Sequence, residues 1–144
     1  MRILVCLNAD LFSCLAVNRL LPMLAGHAVS IALTQRVGSA AAAAEEPPQR
    51  HELRLAEQRI PLDLLFPLVE RADLPDDGTR LLTFRELTFR RGIPITLLSN
   101  PNNADGLAWV GAQSPDLVIS IRYGAIFKSD FLAIPRLGVL NLHS

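Results

Sequence analysis

The chain has 144 residues, of which 50% are hydrophobic, and its 14 basic and 14 acidic side chains give a formal net charge of zero. A chain of this length forms one domain that buries about two-thirds of its unfolded surface. The neutral balance does not indicate a nucleic-acid or membrane partner, no segment is long enough to span a membrane, and the apolar run after Met1 is too short for a signal peptide, so we expect a soluble cytoplasmic protein.

The first predicted elements are a strand and a helix. Residues 3–7 are a continuous apolar run, and residues 11–25 predict a helix that ends at Gly26. The turn between them has no glycine, which a dinucleotide-binding turn requires, so a nicotinamide dehydrogenase is disfavoured. Asn8 and Asp10 lie in this turn and are candidate substrate contacts. Turn formation and helix capping also explain both residues without any function, and are the preferred interpretation.

The two cysteines, Cys6 and Cys14, fall in this strand and helix. Their spacing is not that of a metal site, so we predict free thiols, as in a reducing cytoplasm, and no bound metal.

A second strand and an irregular region follow. Residues 27–34 alternate as a strand does, with their apolar side chains on one side. The alanine-rich residues 38–48 are interpreted as a loop or a short exposed helix. Residues 49–69 have a mixed helical pattern interrupted at Pro61. Four residues of this region form an apolar stripe that could pack on the sheet or on a missing partner: Leu62, Leu65, Phe66 and Val69.

The next helix has recognisable ends. Thr83 and Glu86 match a capping box, and Gly92 is typical of a helix end, so residues 84–91 are predicted to be helical.

Residues 93–98 predict a third strand, and residues 104–113 predict a helix capped by Asn102 or Asn103. Strands and helices therefore alternate outside residues 36–92. This alternation predicts an α/β fold with a doubly wound, mainly parallel sheet.

The last thirty residues place two polar side chains at the end of a strand. Residues 117–121 predict a buried strand, and Ser129 is a candidate cap for a short helix through residue 134. Residues 137–142 predict a further strand, whose period of two puts Asn141 and His143 on one face. Because ligands bind at the carboxyl ends of parallel strands, this pair predicts an active site.

Two motifs in this region resemble a known family. They are Asp-Leu-Val-Ile-Ser-Ile-Arg-Tyr-Gly from residue 116 and Ile-Pro-Arg-Leu-Gly-Val-Leu-Asn-Leu-His-Ser from residue 134. The pair is similar to the core of the formyltransferases that use 10-formyltetrahydrofolate, a family that acts on methionyl-tRNA, glycinamide ribonucleotide and amino sugars. The resemblance is specific over residues 115–144, recognisable over the first strand and helix, and weak over residues 36–92.

The resemblance implies a Rossmann-like formyltransferase fold, with residues 1–144 as the N-terminal part of a catalytic domain cut after about its fifth strand. The family's Asn-x-His pair falls on Asn141 and His143. Its folate-binding backbone falls on five consecutive residues: Arg122, Tyr123, Gly124, Ala125 and Ile126. The family's catalytic Asp would lie after Ser144, so we expect the chain alone to be inactive.

The resemblance implies transfer of a formyl group from 10-formyltetrahydrofolate to a primary amine, with Asn141 and His143 stabilising the oxyanion. Hydrolysis of the same folate is one alternative, and a truncated, non-catalytic folate-binding or assembly fragment is another. Residues 36–92 have no clear counterpart in the transfer-RNA enzymes of the family. This difference favours a small acceptor, such as an amino sugar or an amino acid, although tRNA stays possible.

Overall fold

The computed structural model describes residues 1–35 and 48–142 of the chain. The strands are β1 Arg2–Asn8, β2 Ala28–Thr34, β3 Ile95–Leu97, β4 Leu117–Ile121 and β5 Val139–Leu142. The α-helices are α1 Leu11–Leu20, α2 Pro48–Arg54, α3 Phe66–Arg71, α4 Phe84–Arg91, α5 Ala104–Gln113 and α6 Ser129–Leu132. A 3₁₀ turn, Leu21–Leu24, follows α1. Two π-helical turns, Leu55–Arg59 and Pro61–Leu65, connect α2 to α3, and together these form the helical stretch 48–71.

The five strands form one parallel sheet in the order β3-β2-β1-β4-β5. In the register of the central strands, Cys6 of β1 lies between Ala32 of β2 and Ser120 of β4. The chain moves outward from β1 to β3 and then returns past β1 to β4, so the direction of winding reverses between β1 and β4. The predicted doubly wound α/β fold is confirmed. The carboxyl ends of β1 and β4 flank the position at which such sheets bind ligands.

The first face of the sheet packs against α1 and α4. Alternate β1 residues point to this side because side chains alternate along a strand. The buried residues of this cluster are Ile3, Val5, Leu7, Cys14, Val17, Ile31, Leu33, Leu82, Phe84, Leu87 and Ile119. Each fully buried aliphatic side chain contributes about 1.5–3 kcal/mol relative to an exposed one.

The second face packs against α5 and α6. Its buried residues are Leu4, Cys6, Ala32, Leu98, Val110, Val118 and Phe131, with Tyr123, Phe127 and Val139 packed at the margin. Phe131 is the only buried residue of α6 and is 0% exposed. A helix of only four residues is therefore held in place by a single aromatic side chain in the core.

Both cysteines are buried free thiols, as the sequence predicted. Burial raises the pKa of Cys6, and burial together with the charge of Asp10 raises the pKa of Cys14 to about 12. Both side chains are therefore neutral at physiological pH and lack the nucleophilic thiolate form.

Several local predictions are confirmed. In α4, the Thr83 hydroxyl accepts from the Glu86 N–H at 3.2 Å, and the Glu86 carboxylate accepts from the Thr83 N–H at 3.0 Å. Gly92 then takes a left-handed conformation with φ of 65°. At the start of α5, the side chain of Asn103 accepts from the Gly106 N–H, so Asn103 rather than Asn102 is the cap.

One local prediction is wrong. Ser129 is the first residue of α6 and does not cap it, because Lys128 occupies the capping position. The predicted apolar stripe is divided: Leu62 and Phe66 pack on the core, while Leu65 is 43% exposed. The two π-helical turns explain this, because more residues per turn rotate the apolar stripe away from the 3.6-residue pattern.

Two boundaries also differ. The α-helix that begins at Leu11 ends at Leu20 and not near residue 25, because Pro22 has no N–H to continue the pattern of helical bonds. The fifth strand begins at Val139 and not at residue 137, because Gly138 turns the chain with φ of 87°. The alanine-rich residues 38–48 lie almost entirely outside the described residues. In the part of the chain that the structure describes, no helix combines the length and apolar character needed to cross a membrane.

Candidate active site

The structure brings most of the predicted site residues to one edge of the sheet. Asn8 ends β1, Asp10 precedes α1, and Arg122 directly follows β4. Asn141 is the third residue of β5, which pairs with β4. The carboxyl ends of three neighbouring strands therefore supply these side chains. His143 lies outside the described residues, so its predicted place beside Asn141 stays a prediction.

Asp10 is a buried carboxylate with three partners. Its Oδ1 accepts from the Ser13 N–H at 2.6 Å, which caps α1, and its Oδ2 accepts from the Asn8 side-chain amide at 3.0 Å. Its side chain is 1% exposed and also contacts the guanidinium of Arg122, with 3.4 Å between Oδ2 and Nε. Helix capping, the preferred interpretation of Asp10, is confirmed. The contact with Arg122 shows that the same carboxylate also joins β1 to the end of β4.

Two buried polar atoms beside Asp10 have no hydrogen-bond partner among the described residues. They are Oδ1 of Asn8 and Oγ of Ser13, on residues that are 6% and 0% exposed. Buried polar atoms are normally paired with protein groups or ordered water, because an unpaired one costs roughly 1–3 kcal/mol. We expect a buried water at this position.

Arg122 has both an unusual backbone and a charged environment. Its φ is 55°, in the left-handed region that costs a residue with a Cβ roughly 1–2 kcal/mol. Its guanidinium lies between Asp10 and Glu57, with 2.5 Å from Nη2 to Oε2 of Glu57, and above the ring of Phe12 at 5.5 Å. These contacts stabilise the position that the Arg122 side chain takes when the backbone is left-handed.

Residues 122–128, the β4–α6 segment, are fixed to the rest of the sheet by aromatic packing. The Tyr123 hydroxyl donates to the Leu98 carbonyl at 2.6 Å, just after β3. The Tyr123 ring stacks on Phe127 at 5.2 Å, and Phe127 stacks on Phe131 at 4.1 Å. The row of three rings connects this segment to the core of the second face.

Asn102 holds the far end of the β4–α6 segment. Its side-chain amide donates to the Ile126 carbonyl at 2.7 Å, and its side-chain oxygen accepts from the Lys128 N–H at 2.8 Å. The loop that contains Asn102 is tightly folded, because a Cβ on Gly106 would come within 2.2 Å of the Asn100 carbonyl oxygen. The predicted folate-binding residues Arg122, Tyr123, Gly124, Ala125 and Ile126 thus lie in a segment with fixed ends.

Asn141 lies in a less protected position. It is opposite Ser120 in the register of β4 and β5, and its side chain is exposed. By strand alternation it shares a face with Val139, which packs against the second core cluster. The amide is therefore available to a ligand at the edge where the β4–α6 segment begins.

Three residues near this edge were not predicted from the sequence to belong to the site. Glu57 pairs with Arg122, the Gln58 side chain donates to the Ala9 carbonyl at 3.2 Å, and Asn102 holds the β4–α6 segment. The asparagine-rich loop was predicted only to cap a helix. Glu57 and Gln58 lie in a region with mixed helical periodicity, where nothing in the sequence relates them to distant strand ends.

A cleft of about 700 Å³ lies at the opposite edge of the sheet, where β2 begins. Its lining includes Leu21, Val29, Arg91 and Ile93, and none of the predicted site residues. Within residues 1–35 and 48–142, no group of three or more His, Cys, Asp or Glu side chains is arranged to hold a metal ion.

Comparison with known proteins finds similarity to bacterial methionyl-tRNA formyltransferases. The chain is 38% identical to the protein of Mycolicibacterium gilvum over 58 residues, which are 40% of this chain and 19% of that protein. It is 35% identical to the Pseudomonas paraeruginosa protein over 60 residues, 42% of this chain and 19% of that protein. With the Pseudomonas putida protein the match is 37% over 89 residues, 58% of this chain and 29% of that protein.

No protein-family model matches the chain. The matched stretches span less than a third of the length of these relatives, so the similarity concerns one part of those proteins. Over these stretches the resemblance to formyltransferases is confirmed.

Proposed function

We propose that this chain contributes to the transfer of a formyl group from 10-formyltetrahydrofolate to a primary amine. The observation that supports this proposal most is the convergence of the β4–α6 segment and Asn141 at adjoining strand ends, in a chain similar to formyltransferases. In this proposal the folate is the substrate that donates the formyl group.

The β4–α6 segment is the proposed folate-binding backbone, over residues 122–126. Its fit to this role rests on preorganisation, because Tyr123 and Asn102 already hold the segment in the protein alone. A segment that does not have to be ordered on binding loses less conformational entropy. The side chain of Ile126 is 86% exposed and supplies an apolar surface beside this backbone.

Asn141 and His143 are the proposed catalytic residues. The amine nitrogen attacks the formyl carbon, a new C–N bond forms, and the carbonyl oxygen becomes an oxyanion. The Asn141 amide and the His143 imidazole donate hydrogen bonds to that oxygen, and such a donor contributes about 3–4 kcal/mol in the transition state. When the oxyanion collapses, the bond between the formyl carbon and the folate nitrogen breaks. The proton lost by the amine is transferred to that folate nitrogen.

The acceptor we propose to test first is methionyl-tRNA, because the similar proteins are named for it. The small amine that the sequence favoured gains no support from these relatives. The 14 basic and 14 acidic residues give no net positive charge, so a tRNA acceptor would need a basic patch supplied from elsewhere.

The test uses the purified 144-residue chain and any longer natural protein that contains it. Each is mixed with 10-formyltetrahydrofolate, and loss of the formyl group is followed by absorbance with methionyl-tRNA, with a panel of small amines, and with no amine. Turnover that requires an amine would support formyl transfer. Equal turnover without an amine would instead support the hydrolase, and folate binding with no turnover in either protein would support the non-catalytic alternative.

A further inference from the structure

The helical stretch 48–71 lies against the carboxyl edge of the sheet through two polar contacts. Glu57 pairs with Arg122 at 2.5 Å, and Gln58 donates to the Ala9 carbonyl at 3.2 Å. Gln58 is the buried residue of its turn, at 8% exposed. One turn of this stretch therefore meets the ends of both β1 and β4.

Arg122 depends on these surroundings more than an ordinary surface arginine does. Its side chain is 29% exposed, and its two carboxylate partners are 17% exposed for Glu57 and 1% exposed for Asp10. Asp10 already accepts from Ser13 and Asn8, and its atom pair with Arg122 is 3.4 Å apart. The atom pair with Glu57 is 2.5 Å apart, so Glu57 is the closer of the two carboxylates that the described residues place against Arg122.

The first residue of the β4–α6 segment differs from the rest of the segment in how it is held. Tyr123, Phe127 and Asn102 fix the later residues through the second face of the sheet. Arg122, by contrast, is held through its side chain, which pairs with Glu57 of the helical stretch 48–71. Arg122 also has a left-handed backbone, a strained conformation that persists only where surrounding contacts hold it.

We infer that Glu57 is a positioning residue: by pairing with Arg122 it fixes the start of the β4–α6 segment, and so makes the helical stretch 48–71 one side of the folate site. The role in folate binding rests on the proposed function. The fixing of the segment does not, since it follows from the contacts alone.

The test compares Glu57→Gln with Asp63→Asn in the 144-residue chain. Asp63 lies on the same helical stretch and forms an exposed ion pair with Arg59 at 2.8 Å, so the control removes the same charge without touching the sheet edge. We expect amide hydrogen exchange of residues 122–128 to become about tenfold faster in Glu57→Gln and to stay unchanged in Asp63→Asn. The dissociation constant for tetrahydrofolate should rise by a similar factor in Glu57→Gln alone.

A second background tests whether Glu57 acts through Arg122. In Arg122→Gln, the further change Glu57→Gln should have no additional effect on exchange or affinity, because the partner is already absent. An additional effect of full size would overturn the inference, as would equal changes in the Asp63→Asn control. Faster exchange with unaltered folate affinity would overturn the role in binding. If the unmodified chain binds no tetrahydrofolate, the proposed function fails, while the exchange comparison still decides whether Glu57 fixes the segment.

Discussion

The chain after β4 and the neighbouring strand β5 supply the two halves of the candidate site, and they are supported very differently. The β4–α6 segment is held by the Leu98 carbonyl and Asn102, both in the loop between β3 and α5, and by Glu57 of the helical stretch 48–71. In β5, only Val139 is partly buried, and the next three residues are exposed. The proposed folate-binding half is therefore preorganised, whereas the proposed catalytic Asn141 lies on an exposed strand.

This contrast implies that folate binding and chemistry respond to different substitutions. Changes that loosen the β4–α6 segment should affect affinity and stability together, since the segment is part of the second core face. Changes at the exposed end of β5 should leave both nearly intact and alter only the reaction or the association of copies. Four substitutions test this separation, beginning with the one of largest effect.

Phe131→Ala should destabilise the β4–α6 segment more than any other substitution proposed here. Phe131 is 0% exposed and supports the stacked ring of Phe127, so its removal leaves a cavity and should lower the free energy of unfolding by about 3–5 kcal/mol. Chemical denaturation would measure the change. Leu132→Ala is the matched control, because Leu132 lies on the same helix but is 46% exposed, and it should cost far less. Equal losses would show that α6 is not held by Phe131.

Asn141→Ala should separate chemistry from binding. If the proposed function is correct, loss of one oxyanion donor should lower kcat by about a hundredfold or more, in whichever protein shows turnover. The dissociation constant for folate should change little, since the interaction matters mainly in the transition state. Leu140→Ala, on the opposite face of the same strand, serves as the control. A large loss of folate affinity at unchanged kcat would contradict a catalytic role for Asn141.

Asn102→Ala should loosen the β4–α6 segment without creating a cavity in the core. It removes two hydrogen bonds, at 2.7 and 2.8 Å, from a half-buried position. At about 1 kcal/mol for each bond, unfolding should become easier by roughly 1–2 kcal/mol, and folate affinity should fall several-fold. Thermal unfolding and titration with tetrahydrofolate measure the two effects. Ser99→Ala, at an exposed position in the same loop, should change neither.

Local features of the fold were predictable from the sequence, because their causes are close together in the chain. The strand Leu117–Ile121 was located from its apolar run, and α4 from the capping box of Thr83 and Glu86. Candidate site residues were named from contiguous stretches, the motifs around Arg122 and Asn141 and the turn that contains Asn8 and Asp10. The pairing of Glu57 with Arg122 joins residues 65 positions apart, and no local pattern specifies such a contact.

Two features of the helical stretch 48–71 that the sequence did not specify have a physical cause. Its π-helical turns place Leu65 in solvent although a regular helix would bury it. The same turns bring Glu57 and Gln58 to the sheet edge. A sequence pattern based on 3.6 residues per turn could therefore predict only part of the apolar face and none of the polar contacts of this stretch.

Leu140→Lys should have the smallest effect on stability and a clear effect on association. In the described residues β5 is the outermost strand beside β4, and its exposed residues include Leu140 at 58% and Leu142 at 54%. A strand edge of this kind pairs readily with another copy, and a charged side chain opposes such pairing. We therefore expect the 144-residue chain to form oligomers, and Leu140→Lys to reduce them while changing stability by less than about 0.5 kcal/mol.

Light scattering and denaturation of the same samples measure both effects. Leu137→Lys is the matched control: Leu137 is 52% exposed but precedes β5, so the same charge is added outside the strand. If Leu137→Lys reduced association equally, general apolar exposure and not strand pairing would be responsible. A monodisperse monomer of the unmodified chain would show that the exposed end of β5 is stable by itself, and that the two halves of the candidate site differ less than their burial indicates.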